Sequence, residues 1–339
     1  AKGATIARRT EPLASRAQVD SCGRCHSRRG TLGEYHYGKP LLDTHRVALP
    51  QSPLYYHDGQ ILDEVYVYGS FLQSKMHQAG VVCSNCHEPH SQALRAPGNG
   101  VCAQCHQPQE YDTPKHHRHT ADSPGALCAD CHMPETSYMG VDPRRDHSMR
   151  IPRPDLSIAT GSPNACNQCH QDRDARWALE AMRGWGVQYR DTGSHTARAL
   201  QRFELGDRSV VPSLAALAGD TSAAPIWRAT AIEAVSRGGG REALQTVTTT
   251  LYDDDPILRV STVRSLEFLP LHQRYQLLQP LIEDDVTAVR LGVAMALAGV
   301  PLDQLDPAQA RQLEQLFNED LQIQQQHADM PESQLQSGV

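Results

Sequence analysis

The chain has 339 residues, a net charge of −7 and 5% aromatic residues. That acidic balance excludes the basic footprint of a nucleic-acid-binding domain, and no run of 18 apolar residues is present to form a transmembrane segment. So modest an apolar inventory, for one large or two ordinary domains, leaves part of the core to something other than side chains.

In chain order, the opening AKGATIARRT lacks the apolar stretch of a secretory leader. We therefore expect a mature form with its leader removed. All ten cysteines then fall into five C-x-x-C-H units: Cys22/Cys25/His26, Cys83/Cys86/His87, Cys102/Cys105/His106, Cys128/Cys131/His132 and Cys166/Cys169/His170. The pattern is that of c-type haem attachment, in which two thiols add to the vinyl groups of one porphyrin and the adjacent His lies beneath the iron. A zinc ribbon does not require His at that position, and thioredoxin-like pairs occur singly. With 17 His in 339 residues, His after all five pairs is not an accident of composition. The implied cofactors are five haem c, and covalent haem attachment places the protein in the periplasm or outside the cell.

Residues 1–173 are expected to form a pentahaem cytochrome c domain. They are Pro- and Gly-rich (RAPGNG, RIPRPDLS, ATGSPNAC), a loop-rich composition held together by haems, with short helices at the attachment motifs. The span 60–79 reads as the best helix there, with Ile61, Val65, Tyr68 and Leu72 at helical spacing.

Residues 174–327 contain no Cys and are rich in Ala, Leu, Val, Gln and Arg. Arg228, Arg259 and Arg290 recur every 31 residues, each early in an amphipathic helix. Pro225 and Pro256 suit first helical turns, and Asp253–Asp255 and Glu283–Asp285 suit N-caps. Paired helices at this period indicate a HEAT-like α-helical repeat domain, a scaffold or partner surface; a plain helical bundle is the simpler alternative. Residues 328–339 read as a tail. The expected fold class is mainly α with much irregular structure.

Five irons need five sixth ligands for full coordination. The first half offers His36, His45, His57, His77, His90, His116, His117, His119 and His147. His90 is too close to its own motif to reach the far face of that haem, so it would serve a neighbour. His90, His119 and His147, with one of His116 and His117, form the core of the ligand set. The remaining ligand is open among His36, His45, His57 and His77, with His77 favoured. Met76, Met133 and Met149 are alternatives that would raise the potential. His195, His272 and His327 are expected at the surface.

The segments DGQILDEVYVYGSFLQSKM, GVVCSNCHEPHS, KHHRHT, CADCHMP, YMGVDPRRDHSMRIPRPDLS and PNACNQCH resemble a family of bacterial multihaem cytochromes fused to HEAT or TPR repeats. The first half is also similar, distantly, to the cytochrome c554, hydroxylamine oxidoreductase and nitrite reductase superfamily. The resemblance implies closely stacked haems and His90, His119 and His147 as ligands. It covers about half the chain; the second half matches in type alone. None of the five motifs carries the Lys of ammonia-forming nitrite reductases. Some related proteins polymerise into filaments, with a ligand donated by the next subunit.

Two functions follow. One is electron transfer through mostly bis-His haems, as a carrier or a polymerised haem wire, with redox partner proteins such as other cytochromes or a membrane quinol-linked complex. The other is a reductase or oxidase of a small nitrogen or sulfur species at one open iron, with Tyr138, Arg144, Arg145 and Asp146 beside it. The first is preferred, so an electron-transfer protein is expected more than an enzyme, and no catalytic residue is assigned.

Overall fold

The computed structural model describes residues 4–11, 13, 15–189 and 195–329. It divides into two compact units, each assembled from two stretches of chain: Ala1–Cys22 with Pro50–Gln201, and Gly23–Leu49 with Arg202–Val339. The molecule is helix-rich with little strand, and no helix among the described residues is long and apolar enough to cross a membrane.

The first unit is short helical turns joined by irregular chain. Its composition explains this: Pro starts the helices Pro108–Tyr111, Pro114–His117 and Pro154–Thr160, and each is over within two turns. The strand Glu135–Tyr138 pairs antiparallel with Asp142–Arg145, turning through Met139 and Gly140 at positive φ. Tyr138 from this hairpin packs with Tyr55, Ile61 and Val65.

The helix expected over 60–79 is broken into Tyr68–Gln73 and Lys75–Gln78. Tyr66 at φ 58° prevents an earlier start. Ser74 is extended and caps the second piece, its hydroxyl accepting from the His77 amide at 3.0 Å. Ile61, Val65, Tyr68 and Leu72 are all buried, so the apolar spacing reports burial rather than one continuous helix.

This unit continues to Gln201. Asp174 caps the helix Ala175–Gly184, accepting from the Trp177 amide at 2.9 Å. That helix packs on Pro154–Thr160, and the Tyr189 hydroxyl donates to the Pro152 carbonyl at 3.1 Å.

In the second unit, Val211–Gly219 packs on Pro225–Gly238, which packs on Pro256–Arg264, then Thr287–Leu297, then Pro307–Gln326. The facing positions are small and apolar, including Ala229, Ile232, Leu258, Val263, Val289 and Val293. The three Arg at 31-residue spacing each reach an acid carried further along the chain: Arg228 to Asp253 at 2.8 Å, Arg259 to Asp284 at 2.9 Å and Arg290 to Glu319 at 2.6 Å. Pro225 and Pro256 sit in first turns, and Asp255 caps Pro256–Arg264 by accepting from the Ile257 amide.

At Thr287–Leu297 the capping differs from expectation. Asp284 accepts from the Val286 amide, ahead of the helix. The Thr287 amide is instead met by Asp43, at 3.3 Å. Asp43 ends the short turn Leu41–Asp43, which packs on this helix. The hairpin of this early segment pairs Arg29 with Val47 and Thr31 with His45. The expected tail falls largely on 330–339, outside the described residues.

Candidate functional site

The attachment motifs lie on short helical turns. Cys22, Cys25 and His26 end the helix Ala17–His26, Cys83 opens Cys83–Asn85, Cys102 lies in Gly100–Ala103, and Cys128–His132 and Cys166–Cys169 are helices themselves. A helical turn suits the motif, since C-x-x-C sets both thiols on one side and the next residue beside them. Burial pushes the Cys86 and Cys166 thiols up and the Cys131 thiol up to about 11, so these are apolar-set thiols rather than exposed reactive ones.

Three motif histidines each face a histidine from outside the motifs. His87 and His147 are stacked with ring centroids 6.2 Å apart, His132 and His116 at 6.1 Å, and His170 and His119 at 6.2 Å with a larger tilt. Parallel rings in direct contact would lie closer. Two imidazoles bonded through nitrogen to opposite sides of one metal ion, at about 2 Å each, would have about this centroid spacing.

Backbone carbonyls hold one ring of each of these pairs or its mate. His147 Nδ1 contacts the Arg145 carbonyl at 2.9 Å, His132 Nδ1 the Arg150 carbonyl at 2.9 Å and His119 Nδ1 the His117 carbonyl at 2.6 Å. An Nδ1–H donated to a carbonyl leaves Nε2 as the free base.

Gly125 completes the third pair. A Cβ built there would stand 2.3 Å from His119 Cδ2 and 2.7 Å from Nε2, so the absence of a side chain makes space for the ring. The two thiols and the facing imidazoles together match the donor set of a covalent haem.

Residues 89–184 match the family described as cytochrome c7 and related cytochrome c. The match spans the third, fourth and fifth motifs together with His90, His116, His117, His119 and His147; the first two motifs lie outside it. Neither the curated proteins nor the solved structures give a match.

Within the cytochrome c7-like segment, His117 turns inward to its neighbour: its Nδ1 accepts from the His119 amide at 3.2 Å. His106 meets the Tyr111 ring edge-on at 5.5 Å, and Tyr111 meets His116 edge-on at 5.6 Å. Tyr111 thus wedges between the third motif and the ring that faces the fourth, its hydroxyl 2.9 Å from Thr5 Oγ1. His90 is 94% exposed, with Nδ1 3.0 Å from Glu88. Glu88 also accepts the His90 and Ser91 amides; the Ser91 amide, then the His90 ring, hold its carboxyl down at about 2.

Outside that segment, His77 packs against Phe71 at 5.3 Å, His36 is exposed and His57 half-buried. His45 is 4% exposed in its strand, with Nδ1 2.9 Å from Thr44 Oγ1. Burial, then Arg29, Arg24 and His327, holds its imidazole down at about 4. The Tyr35 ring lies tilted at 6.4 Å from it, and Arg24 lies over that ring.

Two histidines expected at the surface are not there. His195 is half-buried because it caps Thr196–Glu204, accepting from the Ala197 amide at 3.2 Å. His327 ends Pro307–Gln326 with its Nε2 buried. His272 is exposed as expected.

The polar cluster read as a second-function site is mostly paired with its own neighbours, with Arg144 Nη1 and Asp146 Oδ2 buried without a hydrogen-bond partner among the described residues. Arg144 binds Glu64 and Asp142 and lies over the rings of Tyr66 and Tyr138. Arg145 binds Asp130 at 2.8 Å.

Proposed function

We propose that the protein is a multihaem electron-transfer protein, with five covalently attached haem c groups and mostly bis-His ligation. The observation that carries this is the recurrence of one geometry: three motif histidines, each opposed by a non-motif histidine at 6.1–6.2 Å. The cytochrome c7-like match over 89–184 supports it independently. In this reading His87 and His147, His132 and His116, and His170 and His119 are the ligand pairs. His26 and His106 are the proximal ligands of the first and third motifs, and their partners come from His36, His45, His57, His77, His90 and His117.

When bound, haem supplies reversible one-electron chemistry at its iron. The chain's part is to fix the ligands. Carbonyls orient the imidazoles, so that Nε2 is presented without reorganisation. Two His per iron leave no position for a substrate, which favours transfer over catalysis.

We read the second unit as a short HEAT-like stack, on the 31-residue interval and the repeated Arg–acid pairs. A stack of this kind offers an extended face for partner proteins, among them other cytochromes, a membrane quinol-linked complex or further copies of the chain. A periplasmic or extracellular location follows from the haem attachment.

Low-temperature EPR of the oxidised protein, integrated per haem, tests the function. Five low-spin signals are expected. One haem's worth of high-spin signal that shifts on adding nitrite or hydroxylamine would favour a reductase or oxidase at an open iron.

A further inference from the structure

We propose that Tyr111 is a positioning residue shared by two haems. It sets the rotation of His106, the proximal ligand of the third motif, and of His116, the ligand facing the fourth, and the N-terminal segment holds it there through Thr5. This rests on the reading that both motifs carry a haem. All of these residues belong to the first unit.

A bond from Nε2 to iron fixes where an imidazole sits but leaves it free to turn about that bond. A hydrogen bond from Nδ1 to a backbone carbonyl usually stops the turning. His119, His132 and His147 each have such a carbonyl. The rings of His106 and His116 make no hydrogen bond among the described residues. What they have instead is Tyr111. Its ring stands at 88° to His106 with centroids 5.5 Å apart, and at 85° to His116 with centroids 5.6 Å apart. Aromatic rings favour this edge-to-face arrangement, and turning either imidazole out of it drives one ring into the other. One phenol ring thus does for two ligands what a carbonyl does for one elsewhere.

Tyr111 is in turn tied from outside its own helix. Residues 4–7 run antiparallel to 105–107, with Ile6 opposite His106. The Ala7 amide donates to the Cys105 carbonyl at 2.8 Å, the Gln107 amide to the Thr5 carbonyl at 3.0 Å and Gln107 Nε2 to the Ala4 carbonyl at 3.1 Å. This pairing sets Thr5 Oγ1 2.9 Å from the Tyr111 hydroxyl, and that bond keeps the phenol from swinging out from between the two imidazoles. The consequence is readable at the fourth motif, where the planes of His116 and His132 are 19° apart. Nearly parallel imidazoles give a rhombic low-spin iron, and turning one toward a right angle with the other raises the largest g value.

The test is low-temperature EPR of the oxidised, haem-loaded protein, with haems counted and located by mass spectrometry. No haem at the third or fourth motif of the unsubstituted protein overturns the reading of the motifs, and the proposal with it. His116→Ala, which removes one ligand, turns the fourth haem's signal high-spin and so identifies it. In Tyr111→Leu carrying five haems, the largest g value of the fourth haem is expected to rise. One further signal, that of the third haem, is expected to shift, and the other three to stay. Unchanged g values throughout, or shifts spread over all five signals, overturn the proposal and leave the reading of the motifs standing. Tyr111→Phe, which keeps the ring, is expected to shift the same two signals by less, and Thr5→Val to match it. If Tyr111→Leu does not load haem, these two variants decide, and unchanged spectra from both overturn the proposal.

Discussion

Gly125 is the position where one methyl group reaches furthest into the site. Gly125→Ala places Cβ inside contact distance of the His119 ring, and the ring, hung from its own carbonyl contact, has to swing away from His170. We expect the oxidised variant to show one haem's worth of high-spin EPR signal, with the other four low-spin signals unchanged. Asp155 makes the opposite kind of contribution. Burial would raise its carboxyl, but Arg153, gripping both oxygens at 2.7 and 2.6 Å, and Arg198 at 3.6 Å win and hold it below the usual range. A carboxyl depressed in the folded state stabilises above its ordinary pKa, and that contribution is lost as pH falls through the acid range. Asp155→Asn should cost on the order of 2 kcal/mol at neutral pH by denaturant unfolding, and the deficit should shrink toward low pH. At this scale the sequence was readable where chemistry demands contiguity, as in the five C-x-x-C-H units. It left His116 and His117 undecided, because what separates them is three-dimensional: one ring faces His132, the other receives the His119 amide. Gly125 carried no signal of its own, since its neighbour is a ring rather than a backbone constraint.

Among the elements, the repeated Arg was legible from its interval, but its partner was not. Arg259 holds Asp284 through two nitrogens and also donates to the Asp253 and Asp254 carbonyls. Asp284 is 7% exposed, so Arg259→Ala leaves a buried charge without its counter-ion. That should cost roughly 3 kcal/mol, read as a lowered denaturant midpoint of the second unit with the same slope. The cap on Thr287–Leu297 misled the sequence reading for a related reason. Acidic residues directly before a helix are the expected acceptors in a cap, and here the first helical amide is accepted by Asp43. Asp43→Ala should destabilise the same unit by about 1 kcal/mol, while substitution of the exposed Glu283 should have little effect in the same assay. The break in the 60–79 helix has a local cause, the positive φ of Tyr66 followed by the Ser74 cap, and periodicity alone does not register either.

For the whole molecule, composition pointed correctly to a helix-rich chain with much irregular structure. The division into units rests on contacts between distant stretches of chain. Composition changes near 174, yet Ala175–Gly184 is retained by its packing on Pro154–Thr160, and the early segment Gly23–Leu49 joins the late helices. Neither fact has a local signature, because both are contacts between residues distant in sequence. The bond from the Thr287 amide to Asp43 spans 244 residues, and it has a consequence for synthesis. A ribosome makes Asp43 early and Thr287 late, so the hairpin of the early segment has no docking surface until most of the chain exists. The part of the second unit that is translated first is thus completed last.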